Sequence, residues 1–276
     1  MNKAVCPVCF HHCSLKEDEY GLCRARKNSG GTVVCANYGK VTALALDPIE
    51  KKPLKRFFPG SMILSAGSFG CNLNCPFCQN HTIAAAGGNG FKAYREILPQ
   101  EICEAAVRAK SRGNIGVAYT YNEAVVGYEF VRDTAKAVHE AGLKNVIVTN
   151  GTAELWVLEE LLPYINAMNI DLKSFRPEGY RQLAGDLETV LKFITRAAED
   201  CHVELTTLIV PGLSDSAEEM EHEAKWIADL DPEIPLHITR YFPMRHMTAP
   251  PTDIGCMKEL EETARKYLKY VYLGNI

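Results

Sequence analysis

The 276-residue sequence has no apolar run long enough to span a bilayer, and charged residues follow its amino terminus almost at once. We therefore expect no membrane span, no signal peptide and a cytoplasmic location. The sequence also lacks a strong excess of one charge, because its formal net charge is −4. A general attraction to nucleic acid is thus unlikely on electrostatic grounds. Eleven cysteines in a cytoplasmic chain should be reduced thiols or metal ligands rather than disulfides.

A further absence concerns the loop that contains Cys71, Cys75 and Cys78. These three thiols have the spacing C-x3-C-x2-C, and no fourth cysteine is nearby. An iron–sulfur cubane usually takes four thiolates, so three local ligands leave one iron open. An open coordination position is what a catalytic metal site needs. The alternative is a closed zinc knot in which His81 is the fourth ligand, but the spacing favours the cluster.

The first 58 residues carry a separate set of thiols, which we expect to form a second metal site. Four cysteines lie within 18 positions: Cys6, Cys9, Cys13 and Cys23. A segment this short builds little core, so a metal would replace one. A structural zinc ion and a second iron–sulfur cluster both fit, with a slight preference for zinc. A hairpin over residues 32–44 and an extended linker over residues 47–54 are predicted next.

From residue 59 onward, strand-like apolar runs alternate with helical stretches. Strands are predicted at residues 63–66, 115–119, 145–149, 167–171, 203–210 and 236–241, with a short one at 271–273. Helices are predicted at residues 99–112, 124–141, 154–162, 187–199, 217–230 and 253–268. This alternation indicates an α/β fold with a parallel sheet. We predict a partial (β/α)6 barrel over residues 59–276, preceded by the cysteine-rich segment and linker of residues 1–58.

Polar residues follow the predicted strands at the ends where such barrels carry out their chemistry. These candidates are Tyr121, Asn122, Glu123, Asn150, Asp171, Lys173, His237 and Arg240. Any single one can be explained by a structural role, such as a helix cap at Glu123. Together on one rim of a barrel, they predict a binding site next to the cysteine loop.

The cysteine loop resembles the signature of the radical S-adenosylmethionine (SAM) enzymes. This resemblance implies that Cys71, Cys75 and Cys78 hold a [4Fe-4S] cluster whose free iron chelates SAM. It also implies that one electron cleaves SAM to a 5′-deoxyadenosyl radical, with Phe77 near the adenine. The run Tyr121-Asn122-Glu123 lies where the family usually has Gly-Gly-Glu, which receives the SAM amino group. The expected fold is accordingly a barrel of the radical SAM type.

Other runs are similar to those of the glycyl-radical (pyruvate formate-lyase type) activating enzymes. They are Thr149-Asn150-Gly151, Asp171-Leu172-Lys173 and Val210-Pro211-Gly212. The resemblance implies that Lys173, beside Asp171, pairs with the SAM carboxylate, and that Asn150 holds the ribose. His237 and Arg240 are candidates on the substrate side of the cofactor site. Val148 stands where those activases have an aspartate that helps bind a monovalent cation, so no such ion is predicted.

A narrower resemblance, to the radical SAM component of the AmmeMemoRadiSam system, extends over nearly the whole chain. It depends on residues 47–54, 78–80, 120–123, 148–151, 240–243 and 271–275. It implies AMMECR1-type and Memo-type partner proteins, and the radical chemistry implies a one-electron reductant such as flavodoxin or ferredoxin. Three functions stay open: a radical SAM enzyme, a glycyl-radical activase acting on a partner protein, and a non-catalytic metal-binding adaptor.

Overall fold

The computed structural model of the chain describes residues 3–276. Its strands are β1 (Ala4–Val5), β2 (Ser14–Leu15), β3 (Arg26–Ser29), β4 (Thr32–Cys35), β5 (Lys40–Val41), β6 (Ala43–Pro48), β7 (Met62–Gly67), β8 (Arg95–Glu96), β9 (Asn114–Tyr119), β10 (Lys144–Thr149), β11 (Ala167–Asp171), β12 (His202–Ile209), β13 (Leu236–Arg240) and β14 (Val271–Gly274). Its helices are α1 (His81–Ala84), α2 (Pro99–Arg108), α3 (Tyr128–Glu140), α4 (Leu155–Leu161), α5 (Pro177–Gln182), α6 (Leu187–Asp200), α7 (Ala217–Leu230) and α8 (Ile254–Ala264).

One sheet of eight strands organises the chain, in the order β14-β13-β12-β11-β10-β9-β7-β6. Strands β7 and β9 to β14 are parallel, and β6 pairs antiparallel with β7. The predicted α/β fold with a parallel sheet is therefore confirmed. In the described part of the chain, β6 and β14 are the two edge strands, and the sheet opens between them.

Side chains alternate between the two faces of this sheet, as the twofold period of a strand requires. Ile63 of β7 and Ala118 of β9 pack in one apolar cluster with Ile49, Leu54 and Phe57. The residues next to them on the same strands pack instead with the surrounding helices, in a much larger cluster. The first face is thus the inside of the barrel. Residues 49–57 close the inside at the amino-terminal ends of the strands, and we call this segment the barrel floor.

Two predictions for the segment before the barrel are wrong. The predicted hairpin does not form, because β4 pairs with β3 across Gly30-Gly31, and β5 pairs with β8. The expected linker at residues 47–54 is also packed rather than extended over the surface. Its first two residues end β6, and Ile49 and Leu54 are fully buried in the floor. Their burial removes two large apolar side chains from water, which an exposed linker cannot do.

The predicted helices are present, but most of their predicted ends differ from the observed ones. The stretches 99–112 and 124–141 each contain a 3-10 turn, at Ala109–Arg112 and Ala124–Gly127. The short helix α5 was not predicted, because six residues give too little periodicity to recognise. The Ser216 side chain caps α7 by accepting a hydrogen bond from the Glu219 backbone N–H. In residues 3–276, no helix combines the length and the apolar character needed to cross a membrane.

Candidate functional site

The cysteine loop leaves the carboxyl end of β7 and is held there by Asn122. The Asn122 Oδ1 accepts a hydrogen bond from the Ser68 backbone N–H at 2.9 Å. Its Nδ2 donates to the carbonyls of Phe69 and Gly70 at 3.1 and 3.2 Å. Asn122 is buried, and its amide is thus engaged by the start of the loop.

Two amide groups donate to the sulfur of Cys71. They are the Leu73 backbone N–H at 3.4 Å and the Asn150 Nδ2 at 3.7 Å. Cys75 and Phe77 are buried in an apolar cluster with Cys71 and Cys78 at its border. Burial raises the pKa of the Cys71 and Cys75 thiols, and the nearby Lys173 ammonium partly opposes it at Cys75. Metal binding to this loop must therefore displace protons.

The donor set of the loop fits an iron–sulfur cluster. A mononuclear zinc site gathers four ligands at about 2.0–2.3 Å from one atom. Thiolates of a cubane bind different irons and so stand further apart. Three soft thiolates, with amide donors to one sulfur, are typical of the second arrangement.

Glu123 joins the loops after β9 and β10. Its carboxylate accepts hydrogen bonds from the Thr149 hydroxyl at 2.7 Å and from the backbone N–H of Asn150 and Val125 at 2.8 and 3.2 Å. Burial raises the pKa of Glu123, and these hydrogen bonds oppose that rise. Through Asn150 the same connection reaches Asn72, whose Oδ1 accepts from the Asn150 Nδ2 at 3.0 Å. Glu123 and Asn150 are thus brought together beside Cys71.

Asp171 and Lys173 form an ion pair at the carboxyl end of β11. The Lys173 Nζ lies 2.9 Å from the Asp171 Oδ2, and the side chains are 17% and 33% exposed. Burial alone would lower the pKa of Lys173, but the charges of Asp171 and Cys75 raise it above its ordinary value. The lysine is therefore a fixed positive charge next to the cysteine loop, and its partner carboxylate is still partly open to a ligand.

The Tyr121 side chain points away from the cysteines and into the barrel. Its hydroxyl donates to the Asp47 Oδ2 at 2.6 Å. Its ring lies under the Lys52 ammonium, 4.7 Å from Nζ to the ring centroid. Tyr121 has a φ of 75°, which is uncommon for a residue with a side chain. Of the three residues at 121–123, the first therefore contributes to the barrel interior.

His237 and Arg240, which the sequence predicted on the substrate side of the cofactor site, make their hydrogen bonds to other parts of the barrel. His237 is the second residue of β13, and its Nε2 lies 2.6 Å from the Glu204 Oε2. Glu204 in turn accepts from the backbone of Lys55 and Arg56, so this pair belongs to the floor. The Arg240 guanidinium donates to the Thr252 carbonyl at 2.7 Å. Both side chains are engaged by structure elsewhere in the barrel.

The four amino-terminal cysteines lie together and pack against the cysteine loop. The Cys6 backbone N–H donates to the Cys13 carbonyl at 3.0 Å. Burial raises the pKa of Cys9 to about 11 and that of Cys23 to about 12, and neighbouring thiols of the set add to both shifts. The His11 Nε2 lies 2.8 Å from the Asn72 carbonyl oxygen, inside the cysteine loop.

Two residues that the sequence did not indicate also hold the loop. The Asn72 Nδ2 donates to the Thr152 hydroxyl at 2.7 Å. The Arg245 guanidinium donates to the Cys75 carbonyl at 2.7 Å and to the Asn74 Oδ1 at 2.9 Å. Asn72 has no periodic signal within its loop, and Arg245 is 170 residues from Cys75. Neither could have been found from spacing.

A large cavity lies away from this site. It has a volume of about 590 Å³ and is lined by Arg56, Cys201, His202 and Tyr270, among others. These residues lie at the amino-terminal ends of the strands, next to the floor. In parallel α/β barrels, catalytic residues sit at the other end. We therefore place the functional site at the cysteine loop rather than in this cavity.

Comparison with known proteins identifies the family. Residues 67–227 match the family model of the radical SAM superfamily. The chain is 40% identical over 280 residues to an uncharacterized protein of Methanocaldococcus jannaschii, covering 100% of this chain and 82% of that protein. It is 28% identical over 215 residues to the pyruvate formate-lyase-activating enzyme of Clostridium pasteurianum, covering 72% of this chain and 87% of the enzyme.

Solved structures share the fold at low sequence identity. A domain of a pyruvate-formate lyase-activating enzyme from Bacteroides vulgatus has a TM-score of 0.51 at 21% identity, covering 58% of this chain and 99% of that domain. Streptococcus suis SuiB bound to S-adenosylmethionine has a TM-score of 0.58 at 16% identity, covering 75% and 48%. With the family match over more than half of its length, this chain belongs to the radical SAM superfamily and is related to the pyruvate formate-lyase activating enzymes.

Proposed function

We propose that this protein is a radical SAM enzyme that cleaves S-adenosylmethionine reductively and abstracts hydrogen from a substrate inside the barrel. The observation that carries the proposal is the Asp171–Lys173 ion pair next to the three-cysteine loop. Its ammonium suits the carboxylate of SAM and its carboxylate suits the amino group of SAM, so this neutral pair matches a ligand that carries both charges. A hydrogen bond between charged groups is about twice as strong as a neutral one.

Each residue of the site would have a distinct task. Cys71, Cys75 and Cys78 would hold a [4Fe-4S] cluster, with one iron left for SAM. When bound, this cluster and SAM supply the one-electron cleavage that yields a 5′-deoxyadenosyl radical. Lys173 would neutralise the SAM carboxylate. Asp171, a third exposed, would accept a hydrogen bond from another polar group of the cofactor.

Glu123 and Asn150 would act mainly by holding the cysteine loop. Three hydrogen bonds already reach the Glu123 carboxylate, and the Asn150 amide donates to Cys71 and Asn72. Amide donors to a cluster sulfur tune its reduction potential. Phe77 is buried with the loop, where its ring can pack against the adenine.

Anaerobic reconstitution with iron and sulfide tests the proposal. We expect about four irons at the loop and release of 5′-deoxyadenosine from SAM under a chemical reductant. A Cys75→Ala variant should lose both the loop iron and the cleavage. Cys103→Ala is the matched control, because Cys103 is a buried cysteine between α2 and α3. Bound zinc without SAM cleavage would instead support the metal-binding adaptor.

A glycyl-radical activase is the second candidate function. It is favoured by the 28% identity to the activating enzyme of Clostridium pasteurianum over 72% of this chain. The partner would then be a protein with a glycine that becomes the radical. Transfer of deuterium from a labelled glycine of such a protein into 5′-deoxyadenosine would identify this activity. The same experiment with AMMECR1-type and Memo-type proteins tests the partners that the narrower resemblance implies.

We further propose a second metal site at Cys6, Cys9, Cys13 and Cys23, in a cysteine-rich segment of residues 1–58 that precedes the barrel of residues 59–276. The burial and mutual proximity of these thiols support it. Metal analysis of a variant with all four replaced by serine tests the site: it should lose either one zinc or one cluster. Flavodoxin or ferredoxin as electron donor, and a cytoplasmic location, complete the proposal.

A further inference from the structure

A compact polar unit occupies the inner wall of the barrel on its first two strands. Asp47 lies directly opposite Ile63 in the β6–β7 register, and Ser65 is two residues further along β7. Directly opposed residues share a face, and residues two apart share it as well. Since Ile63 faces the inside with the floor, Asp47 and Ser65 face the inside too.

Lys52 and Tyr121 complete the unit from two other directions. Lys52 extends from the floor and pairs with Asp47, at 2.9 Å from Nζ to Oδ2. Tyr121 descends from the carboxyl end of β9, where its ring lies against Gly67, so that a Cβ there would meet the ring at 2.8 Å. Its hydroxyl donates to the same oxygen of Asp47 at 2.6 Å. The four residues thus join the floor to the rim.

The unit has unused hydrogen-bonding capacity. Ser65 is fully buried beside Asp47 and Tyr121, and within residues 3–276 its hydroxyl makes no hydrogen bond of ordinary geometry to either of them. Both short hydrogen bonds to Asp47 are accepted by Oδ2. The Lys51 Nζ lies 3.6 Å from the other carboxylate oxygen, Oδ1. A buried hydroxyl without a partner is costly, so a ligand group that pairs with it gains binding energy.

The unit lies beside the opening of the barrel. Asp47 belongs to β6, an edge strand of the sheet, and 14% of its side chain is exposed. The floor closes the amino-terminal end with Ile49 and Leu54. Asp47 is therefore the member of the unit that is partly exposed at the open edge of the sheet.

The charges of the unit cancel. The ion pair of Asp47 and Lys52 is buried, with side chains 14% and 3% exposed. A charged ligand would have to leave water without a net opposite charge to receive it, which is unfavourable. A hydroxyl group can instead donate to a carboxylate oxygen and accept from an ammonium or a serine. Neutrality of the wall thus selects an uncharged polar group.

We propose that Asp47, Lys52, Ser65 and Tyr121 form the substrate-binding wall of the barrel, and that they bind a small molecule through an uncharged hydroxyl group. This inference rests on the proposed function, because it assumes that the reacting molecule lies inside the barrel. Tyr121 stands where the family usually has a glycine, so the wall is a feature of this chain rather than of the superfamily pattern.

A charge-swap experiment tests the proposal with three isosteric probes: glycerol, glycerate and 3-amino-1,2-propanediol. Binding is measured by saturation-transfer NMR on the reconstituted protein with SAM and without reductant. The native protein should bind glycerol about tenfold more tightly than either charged probe, a difference of about 1.4 kcal/mol. Asp47→Asn leaves Lys52 unpaired and should shift the preference to glycerate. Lys52→Met leaves Asp47 unpaired and should shift it to the amine.

Lys51→Met is the matched control, because Lys51 is the adjacent lysine and its side chain is 66% exposed. It should keep the native order of the three probes. Tyr121→Phe is the second variant should Lys52→Met not fold; it retains the ring and should weaken glycerol binding by about threefold, in line with one lost hydrogen bond. A structural role for the unit would change stability without exchanging the preferred probe.

The proposal is overturned if all variants rank the probes as the native protein does, or if the native protein prefers glycerate. Release of 5′-deoxyadenosine is measured in parallel. If the native protein binds glycerol as expected but does not cleave SAM, the proposed function is contradicted and the proposed binding wall is not. Native protein that cleaves SAM but shows no charge swap contradicts the wall alone.

Discussion

Two buried glutamates on opposite sides of β12, Glu204 and Glu223, have pKa values that are shifted in opposite directions. Burial would raise the pKa of Glu204, but hydrogen bonds from His202, His237 and two backbone N–H groups hold it at about 2. Burial raises the pKa of Glu223 to about 8, and one hydrogen bond with Thr207 opposes the rise only in part. Four donors outweigh burial at Glu204, whereas at Glu223 one donor cannot outweigh burial and the nearby Glu219 charge.

Replacement of Glu204 by glutamine should destabilise the protein most at neutral pH. A carboxylate with a lowered folded pKa stabilises above its unfolded pKa, near 4.5, and loses this contribution as the pH falls towards 2. The difference from the native protein should be at most about 3 kcal/mol at pH 7. Urea denaturation at pH 7, 4 and 3 measures it, with the exposed Glu233→Gln as control. A difference that does not depend on pH would contradict the assignment.

Replacement of Glu223 by glutamine should have the opposite pH dependence. A carboxyl group with a raised folded pKa stabilises fully below its unfolded pKa, and this contribution disappears as the pH rises from about 4.5 to 8. Glutamine stays neutral at every pH. The unfolding free energy of the variant should therefore rise relative to that of the native protein by up to about 1.4 kcal/mol per pH unit across this window. Unfolding free energies at pH 5, 6.5 and 8 check it; a constant gap would refute a protonated Glu223.

At the scale of elements, the connection between the amino-terminal segment and the cysteine loop is very close. Gly70 has a φ of 91°, and a Cβ there would clash with the Cys23 carbonyl and lie 2.9 Å from the Ala25 Cβ. The loop, the segment around Cys23 and the Glu123 backbone meet at this glycine. Any side chain at this position must separate two elements that the fold holds in contact.

Gly70→Ala should therefore lower the unfolding free energy by more than the left-handed backbone conformation alone explains. Gly60→Ala is the matched control, because Gly60 has a φ of 81° and its Cβ would meet no atom within 4 Å. The control should lose about 1–2 kcal/mol of unfolding free energy, because alanine disfavours the left-handed conformation. Gly70→Ala should lose at least about 2 kcal/mol more, as overpacked positions do, and should also bind less iron at the loop. Denaturation and iron analysis measure both; equal losses would show that the elements separate freely.

At the scale of the whole molecule, one end of the barrel is closed and the other carries the site. The floor is fastened by the Asn169 Nδ2, which donates to the Pro53 carbonyl at 2.9 Å, and by Glu204 at residues 55 and 56. The rim carries the cysteine loop, which the amino-terminal thiols cover from outside the sheet. The proposed cofactor and substrate would thus share the space between the floor and the rim.

Cluster loading should stabilise the whole fold, because a ligand that binds the folded chain shifts the unfolding equilibrium. At a hundredfold excess over its dissociation constant, the gain is about 2.7 kcal/mol. Thermal unfolding of anaerobically reconstituted and iron-free protein measures it. A variant with Cys71, Cys75 and Cys78 replaced by alanine should lose the part of the shift that belongs to this loop. An unchanged shift in that variant would assign all the stabilisation to the amino-terminal thiols.

Several features could be read from local sequence because short-range covalent geometry decides them. The spacing of Cys71, Cys75 and Cys78 confines three thiols to one loop, whatever the rest of the chain does. The alternation of strands and helices likewise predicted the parallel sheet, since each element shows its own period.

Features that depend on distant partners could not be read in this way. His237 follows the pattern of a polar residue near a strand end, yet its partner Glu204 draws it to the floor. The segment at 47–54 looked like a linker until pairing of β6 with β7 and burial of Ile49 placed it in the barrel. Sequence by itself determined the spacing of the three thiols in one loop and the class of fold. Tertiary structure alone decided which face and which end of the barrel each polar side chain occupies, because contacts between residues far apart in the chain set both.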